Sequence, residues 1–175
     1  MKILAVCGSL RAASINLAAL QVMASQAPSG VQMEVFGALG ALPLFNPDLE
    51  QNTPITVQAW RQAIATSDAV VIASPEYAHG ISGVIKNALD WLVSVESFAG
   101  KPVAVVNTSE RAYHADQALR ETLQTMAARL HSQTCITLPL LGANLSVAQM
   151  HESAILTNAF EKLFRALQDL LIDTG

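Results

Sequence analysis

The chain has 175 residues, 51% of them apolar and 14% charged, with a formal net charge of −4. That length buries one good core and is short for two, so residues 1–175 read as a single α/β domain. The sparse, unclustered Lys and Arg exclude the electrostatic footprint of a nucleic-acid or anionic-membrane partner. No apolar run reaches the roughly 18 to 20 residues of a membrane span, no leader pattern opens the chain, and Cys7 and Cys135 belong to no zinc-type cluster. The expectation is a cytoplasmic protein with a small-molecule ligand, no metal site and an inert, buried Cys7.

Residues 2–7 (KILAVC) form a compact apolar run stopped by Gly8 and predict a first strand. Leu17, Leu20 and Ala24 follow at helical spacing. Residues 32–36 (QMEVF) alternate and predict a second strand. The longest irregular stretch, residues 37–52, comes next and is the kind of loop that rims a site. Thr53 and Pro54 read as cap and first-turn residue of a helix through Val57 and Trp60. Residues 69–73 (AVVIA) and 102–107 (PVAVVN) are continuous β-branched runs, the pattern of parallel strands covered on both faces. Ile81, Val84, Ile85, Ala88, Leu89 and Leu92 predict a helix between them, and Leu119, Leu123, Met126 and Leu130 predict another. Residues 133–138 give a weaker fifth strand, and Leu156, Phe160, Leu163, Phe164, Leu167 and Leu171 mark a last helix. This alternation predicts a three-layer α/β/α, flavodoxin-like fold with a five-stranded parallel sheet in the order 2-1-3-4-5. In that order the ligand crevice lies at the carboxyl ends of strands one and three.

Residues 8–16 (GSLRAASIN) leave the first strand and open the first helix, where unpaired backbone N–H groups favour an anion. Ser9, Ser14 and Asn16 add neutral polar groups, and Arg11 supplies a forked cationic contact. There is no GxxxxGK[ST] and no GxGxxG, so one monoester phosphate suits the loop better than a triphosphate or a pyrophosphate. Taken singly, Ser14 reads equally as a helix cap and Arg11 as solvated surface. After the third strand, residues 74–92 (SPEYAHGISGVIKNALDWL) offer Tyr77 as a flat surface beside Gly80 and Gly83, which permit close approach or positive φ. Asn87 and Asp90 read as braces, with Lys86 and Asp90 an ordinary i,i+4 pair.

These two segments resemble the GSxRxxSxN and PEYNxSxPGxLKNAIDW signatures of the NADPH-dependent FMN reductase and quinone reductase family. The resemblance implies FMN as cofactor, NADPH or NADH as donor and a small-molecule electron acceptor. It further implies a homodimer or dimer of dimers, for which the helix from Gly83 to Leu92, with Trp91 and Phe98, is a candidate surface, the alternative being that both aromatics lie in the core of the monomer. By resemblance Ser9, Arg11, Ser14, Ile15 and Asn16 hold the FMN phosphate, while Pro75, Glu76, Tyr77, Ala78 and Gly80 run along the ring. No catalytic side chain is required, although His79 is placed to contact substrate.

The pattern departs from the family at Ala78, usually Asn, at Ser82, usually Pro, and in residues 107–114 (NTSERAYH), which lack the usual glycine pair. Thr108 and Ser109 remain as ring contacts. Tyr113 either stacks over the ring or fills the space the glycines leave. The departures define the alternative: a flavodoxin-like binding protein with weak or lost flavin binding and no reductase activity.

Overall fold

The computed structural model describes residues 1–172. Five parallel strands, β1 (Lys2–Cys7), β2 (Gln32–Val35), β3 (Ala69–Ala73), β4 (Val103–Asn107) and β5 (Cys135–Thr137), form one sheet in the order β2-β1-β3-β4-β5. In register, Ile3 lies opposite Met33 and Ala69, Val70 opposite Val103, and Val105 opposite Cys135. A separate two-stranded hairpin, Glu76–Tyr77 with Gly80–Ile81, stands at the carboxyl end of β3. The helices are α1 (Ile15–Ser25), α2 (Ile55–Ala65), α3 (Gly83–Asp90), α4 (Tyr113–Thr125), α5 (Val147–Glu152) and α6 (Ala154–Ile172).

Strand side chains alternate between the two faces, and both faces are covered, which is why the central runs are apolar throughout. On one side Ile3, Ala5, Val71 and Val106 pack with Leu20 and Met23 of α1 and with Phe160, Phe164 and Leu167 of α6. On the other, Leu4, Val6, Ile72 and Val105 meet Trp60 of α2, Leu89 of α3 and Leu123 of α4. Fully burying a side chain of this size contributes about 1.5–3 kcal/mol, so each layer is held by the sheet's full width.

Several local expectations are corrected. Thr53 does not cap α2: its hydroxyl donates to the Glu50 carbonyl at 3.0 Å, and Pro54 occupies the cap position. Ile81 belongs to the hairpin rather than to α3. Helix α4 stops at Thr125, short of Met126 and Leu130, in a C-terminal turn where Ala128 N–H reaches Leu123 O at 3.0 Å and Ala127 N–H reaches Gln124 O at 2.9 Å. Ala127 takes φ 58 there, a place glycine usually fills, so the composition carried no stop signal. Helix α5 was missed, although Ser146 and Gln149 form a reciprocal capping box at its start. Trp91 and Phe98 are no dimer surface on this chain: they are 0% and 1% exposed, with Trp91 Nε1 donating to Pro43 O at 2.8 Å.

Candidate functional site

The sheet order places the turns after β1, β3 and β4 side by side, at the carboxyl edge where an open α/β sheet leaves its crevice. Gly8 makes the first contact possible. Its N–H donates to Ala73 O at 2.8 Å, and a Cβ added to it would lie 2.6 Å from both Ile85 Cγ1 and Ser74 Oγ.

In the first turn Ser14 is the N-cap of α1, its Oγ accepting from Leu17 N–H at 3.2 Å. Ser9 Oγ accepts from Arg11 N–H at 3.4 Å, which curls the loop. Asn16 is buried, and its Oδ1 accepts from Thr108 Oγ1 at 3.0 Å, a bond that ties the first turn to the fourth. The guanidinium of Arg11 has no hydrogen-bond or ion-pair partner among the described residues.

The third turn is a hairpin in which Glu76 pairs with Ile81 and Tyr77 with Gly80, leaving Ala78 and His79 as its two-residue tip. Both have positive φ, 50° and 58°. Two-residue hairpins favour this geometry and normally fill it with Asn and Gly, so Ala78 is strained by about 1–2 kcal/mol. Gly80 and Gly83, expected to permit close approach or positive φ, show neither in this chain: their φ is ordinary and no neighbour is tight. Ser82 replaces the family's proline productively: its Oγ accepts from Ile85 N–H at 3.3 Å and caps α3. Asn87 is the brace the sequence suggested, accepting from Phe45 N–H at 2.8 Å and donating to Pro43 O at 2.9 Å. Lys86 and Asp90 form the expected exposed pair.

The fourth turn is folded by side chains in place of glycine. Asn107 accepts from Ser109 N–H at 3.0 Å and donates to Ala112 O at 3.3 Å, and Ser109 Oγ accepts from Arg111 N–H at 3.1 Å. No side chain of its own segment caps α4. Glu76 does so from across the cleft, Oε2 accepting from Ala115 N–H at 2.9 Å and Oε1 meeting His79 Nδ1 at 3.1 Å. The Ala115 N–H, with His79 and His114 assisting, holds the Glu76 carboxyl below the usual carboxylate range against the opposing effect of burial. Tyr113 is 62% exposed with its edge toward His114, so it does not fill the space left by the missing glycines.

The three turns enclose one cavity of about 400 Å³. Ser9, Arg11, Ser14, Ile15 and Asn16 line it from the first turn, Pro75, Glu76 and Tyr77 from the third, and Thr108 and Ser109 from the fourth. Ala78, His79 and Gly80 lie outside its wall, toward the hairpin tip. The sequence reading missed Ala13, Ser74, Asn107, Arg111, Ala112 and Leu141 as wall residues. Asn107 alone carried a signal, the tendency of Asn to bond backbone two residues on. None of residues 37–52 lines the cavity. That loop is fastened to α2 and α3 instead, with Arg61 gripping Glu50 at 2.7 Å and Asn87 bonded to Phe45 N–H, and it nears the first turn where Gly40 packs under Leu10. A larger groove of about 770 Å³ between β5 and α6 contains no residue of the three turns, so size does not locate the chemistry.

The residues fit a flat mononucleotide. An unpaired arginine, hydroxyls and a helix N-terminus at one end suit a phosphate, and the hairpin and fourth turn offer a wall for a ring. A five-stranded parallel sheet in this order, with its crevice at the carboxyl edge, defines the flavodoxin-like class. The comparisons make the assignment particular: the family profile described as NADPH-dependent FMN reductase matches residues 1–138, and the chain belongs to that family. It is 37% identical over 129 residues to an NAD(P)H-dependent FMN reductase of Pseudomonas aeruginosa, covering 70% of this chain and 69% of that protein. It is 39% identical over 112 residues to a 2-hydroxy-1,4-benzoquinone reductase of a Burkholderia species, covering 62% of this chain and 61% of the relative. The structure of FerB, a flavoenzyme NAD(P)H:(acceptor) oxidoreductase of Paracoccus denitrificans, superposes with a TM-score of 0.68 at 28% identity, over 98% of this chain and 93% of that one. As a family member the chain is an oxidoreductase that uses FMN, with NAD(P)H as electron donor.

Proposed function

We propose that this protein is an NAD(P)H-dependent quinone reductase that holds FMN between the turns after β1, β3 and β4. The observation that carries the reading is the convergence of those turns on one cavity, with polar groups and an unpaired arginine at one end. Bound FMN supplies the two-electron chemistry between the nicotinamide donor and the acceptor. Arg11, Ser9 and the N-terminus of α1 bind the phosphate, aided by the Ser14 hydroxyl, which keeps its own proton to donate while capping the helix. Ile15 and Asn16 close that end. Backbone groups of Pro75, Glu76 and Tyr77 run along the ring, with Ala78 and Gly80 beyond the cavity wall at the hairpin tip, and Ser109 approaches it from the fourth turn. Thr108 acts through Asn16, to which its hydroxyl proton is committed.

Quinones are the acceptor class because similar proteins carry that name. The Tyr77 face, 53% exposed, offers an apolar surface for such a ring. Tyr77, Tyr113 and Leu141, all more than half exposed around the crevice, support a homodimer in which a neighbouring copy covers this rim. The two free cysteines fit a reducing cytoplasm. The alternative of a flavin-free binding protein is not favoured, because the fourth turn, though it lacks glycine, is fully folded against the cavity.

Titration of the protein with FMN, followed by quenching of flavin fluorescence, and then NADPH with a benzoquinone, tests the reading. Tight binding with turnover is expected, and Arg11→Ala should weaken binding about 10- to 100-fold, the effect of losing a charged hydrogen bond of about 1.5–3 kcal/mol. Absence of FMN binding at millimolar concentration overturns it.

A further inference from the structure

At the tip of the hairpin, beside the cavity wall made by Glu76 and Tyr77, four side chains from two elements come together. His79 Nδ1 lies 3.1 Å from Glu76 Oε1, its ring makes a T-shaped contact with His114 with centroids 4.5 Å apart, and Tyr113 makes a T-shaped contact with His114 at 5.5 Å. Neither histidine lines the cavity, and the phosphate and ring contacts account for neither. The strained backbone at Ala78 and His79 is what aims the imidazole back over Glu76.

We infer that His79 is the proton donor to the acceptor, with Glu76 and His114 as the residues that position it; the inference rests on the reductase reading above. Two-electron reduction of a quinone delivers hydride, carrying both electrons from NAD(P)H, and leaves a hydroquinone monoanion. One proton is still required. A carboxylate on Nδ1 fixes that nitrogen as the N–H side, which directs Nε2 outward as the exchangeable site. In the donating step the Nε2–H bond of the imidazolium breaks and an O–H bond forms on the quinone oxygen, giving neutral hydroquinone. The neutral imidazole then takes a proton from water, which the 78% exposure of the His79 side chain admits.

The charge around this donor is simple. Glu76 faces it from its own hairpin, and His114 faces it from α4, the element packed against the hairpin, with Tyr113 behind. Asp116 and Arg120, one turn further along α4, pair with each other at 2.7 Å. Glu76 is itself anchored by the Ala115 N–H, so the carboxylate cannot swing away from the imidazole without uncapping α4.

The test separates this inference from the reading on which it rests. In the cofactor-free protein, nitrogen-detected NMR of the imidazole should show that the neutral form of His79 carries its proton on Nδ1, and Glu76→Gln should erase that preference. An Nε2-protonated His79 in the wild type overturns the positioning. In the FMN-loaded protein, stopped flow resolves reduction by NADPH from reoxidation by a benzoquinone. Failure of the wild type to be reduced by NADPH counts against the reductase reading itself. If reduction proceeds, His79→Asn, whose side chain tolerates the positive φ, should slow reoxidation about 100-fold, the usual effect of losing a general acid, and should flatten its pH dependence. Reoxidation at the wild-type rate with an unchanged pH profile overturns the role of His79.

Discussion

In the first turn Ser14 caps the helix that follows it, three positions away, whereas the helix after the fourth turn takes its capping oxygen from Glu76, 39 positions back. The phosphate end is therefore capped and curled from its own segment, and apart from the Asn16 bond to Thr108 its side-chain contacts survive if the far side of the crevice moves. The ring end is built across the crevice. Its hairpin holds α4, α4 holds the hairpin, and the missing glycines of the fourth turn are compensated by the side chains of Asn107 and Ser109. A local motif tolerates drift elsewhere, while a shared one forces its two halves to change together.

The largest expected effect comes from breaking the contact that aligns both ends. Gly8→Ala places a methyl 2.6 Å from Ile85 and from Ser74, and overpacking of that kind should cost up to about 3 kcal/mol in a denaturant titration. A smaller effect of opposite sign is expected at the hairpin tip. Ala78→Asn suits φ 50 and should raise stability by about 1 kcal/mol, read as a higher denaturation midpoint at unchanged slope. The subtlest variant sharpens the comparison through pH. The carboxyl of Glu76 is depressed in the folded protein, so its stabilisation is present above the ordinary carboxylate pKa and is lost as pH falls through the depressed value. Glu76→Gln should therefore be less stable than wild type at neutral pH, with the gap closing as acid is added. Ser14→Ala, at the locally capped end, should show a gap that pH leaves alone.

The same contrast explains how much could be read in advance. The central strands followed from continuous apolar runs, because burial on both faces leaves little alternative composition, and the sheet order followed from the alternation of strands with helices. The phosphate loop was legible because its residues act on near neighbours. Glu76 as the cap of α4 was not, since nothing in residues 107–115 announces that a helix start lacking Ser, Thr, Asp or Asn will borrow one. The nearness of His79 to His114 was hidden for the same reason. The aromatics Trp91 and Phe98 were ambiguous because an apolar side chain packs equally well in a core or an interface, and only the observed burial separates the two.

The buried bond between Thr108 and Asn16 spans 92 positions and closes only when β3 already lies between β1 and β4. Contacts of such separation form late, after the entropy of the intervening chain has been overcome. No fragment emerging during synthesis therefore presents a complete pocket, and FMN has nothing to template. The cofactor should act instead as a trap for the finished fold: at a hundredfold excess over its dissociation constant it would add about 2.7 kcal/mol to native stability while leaving the folding rate unchanged.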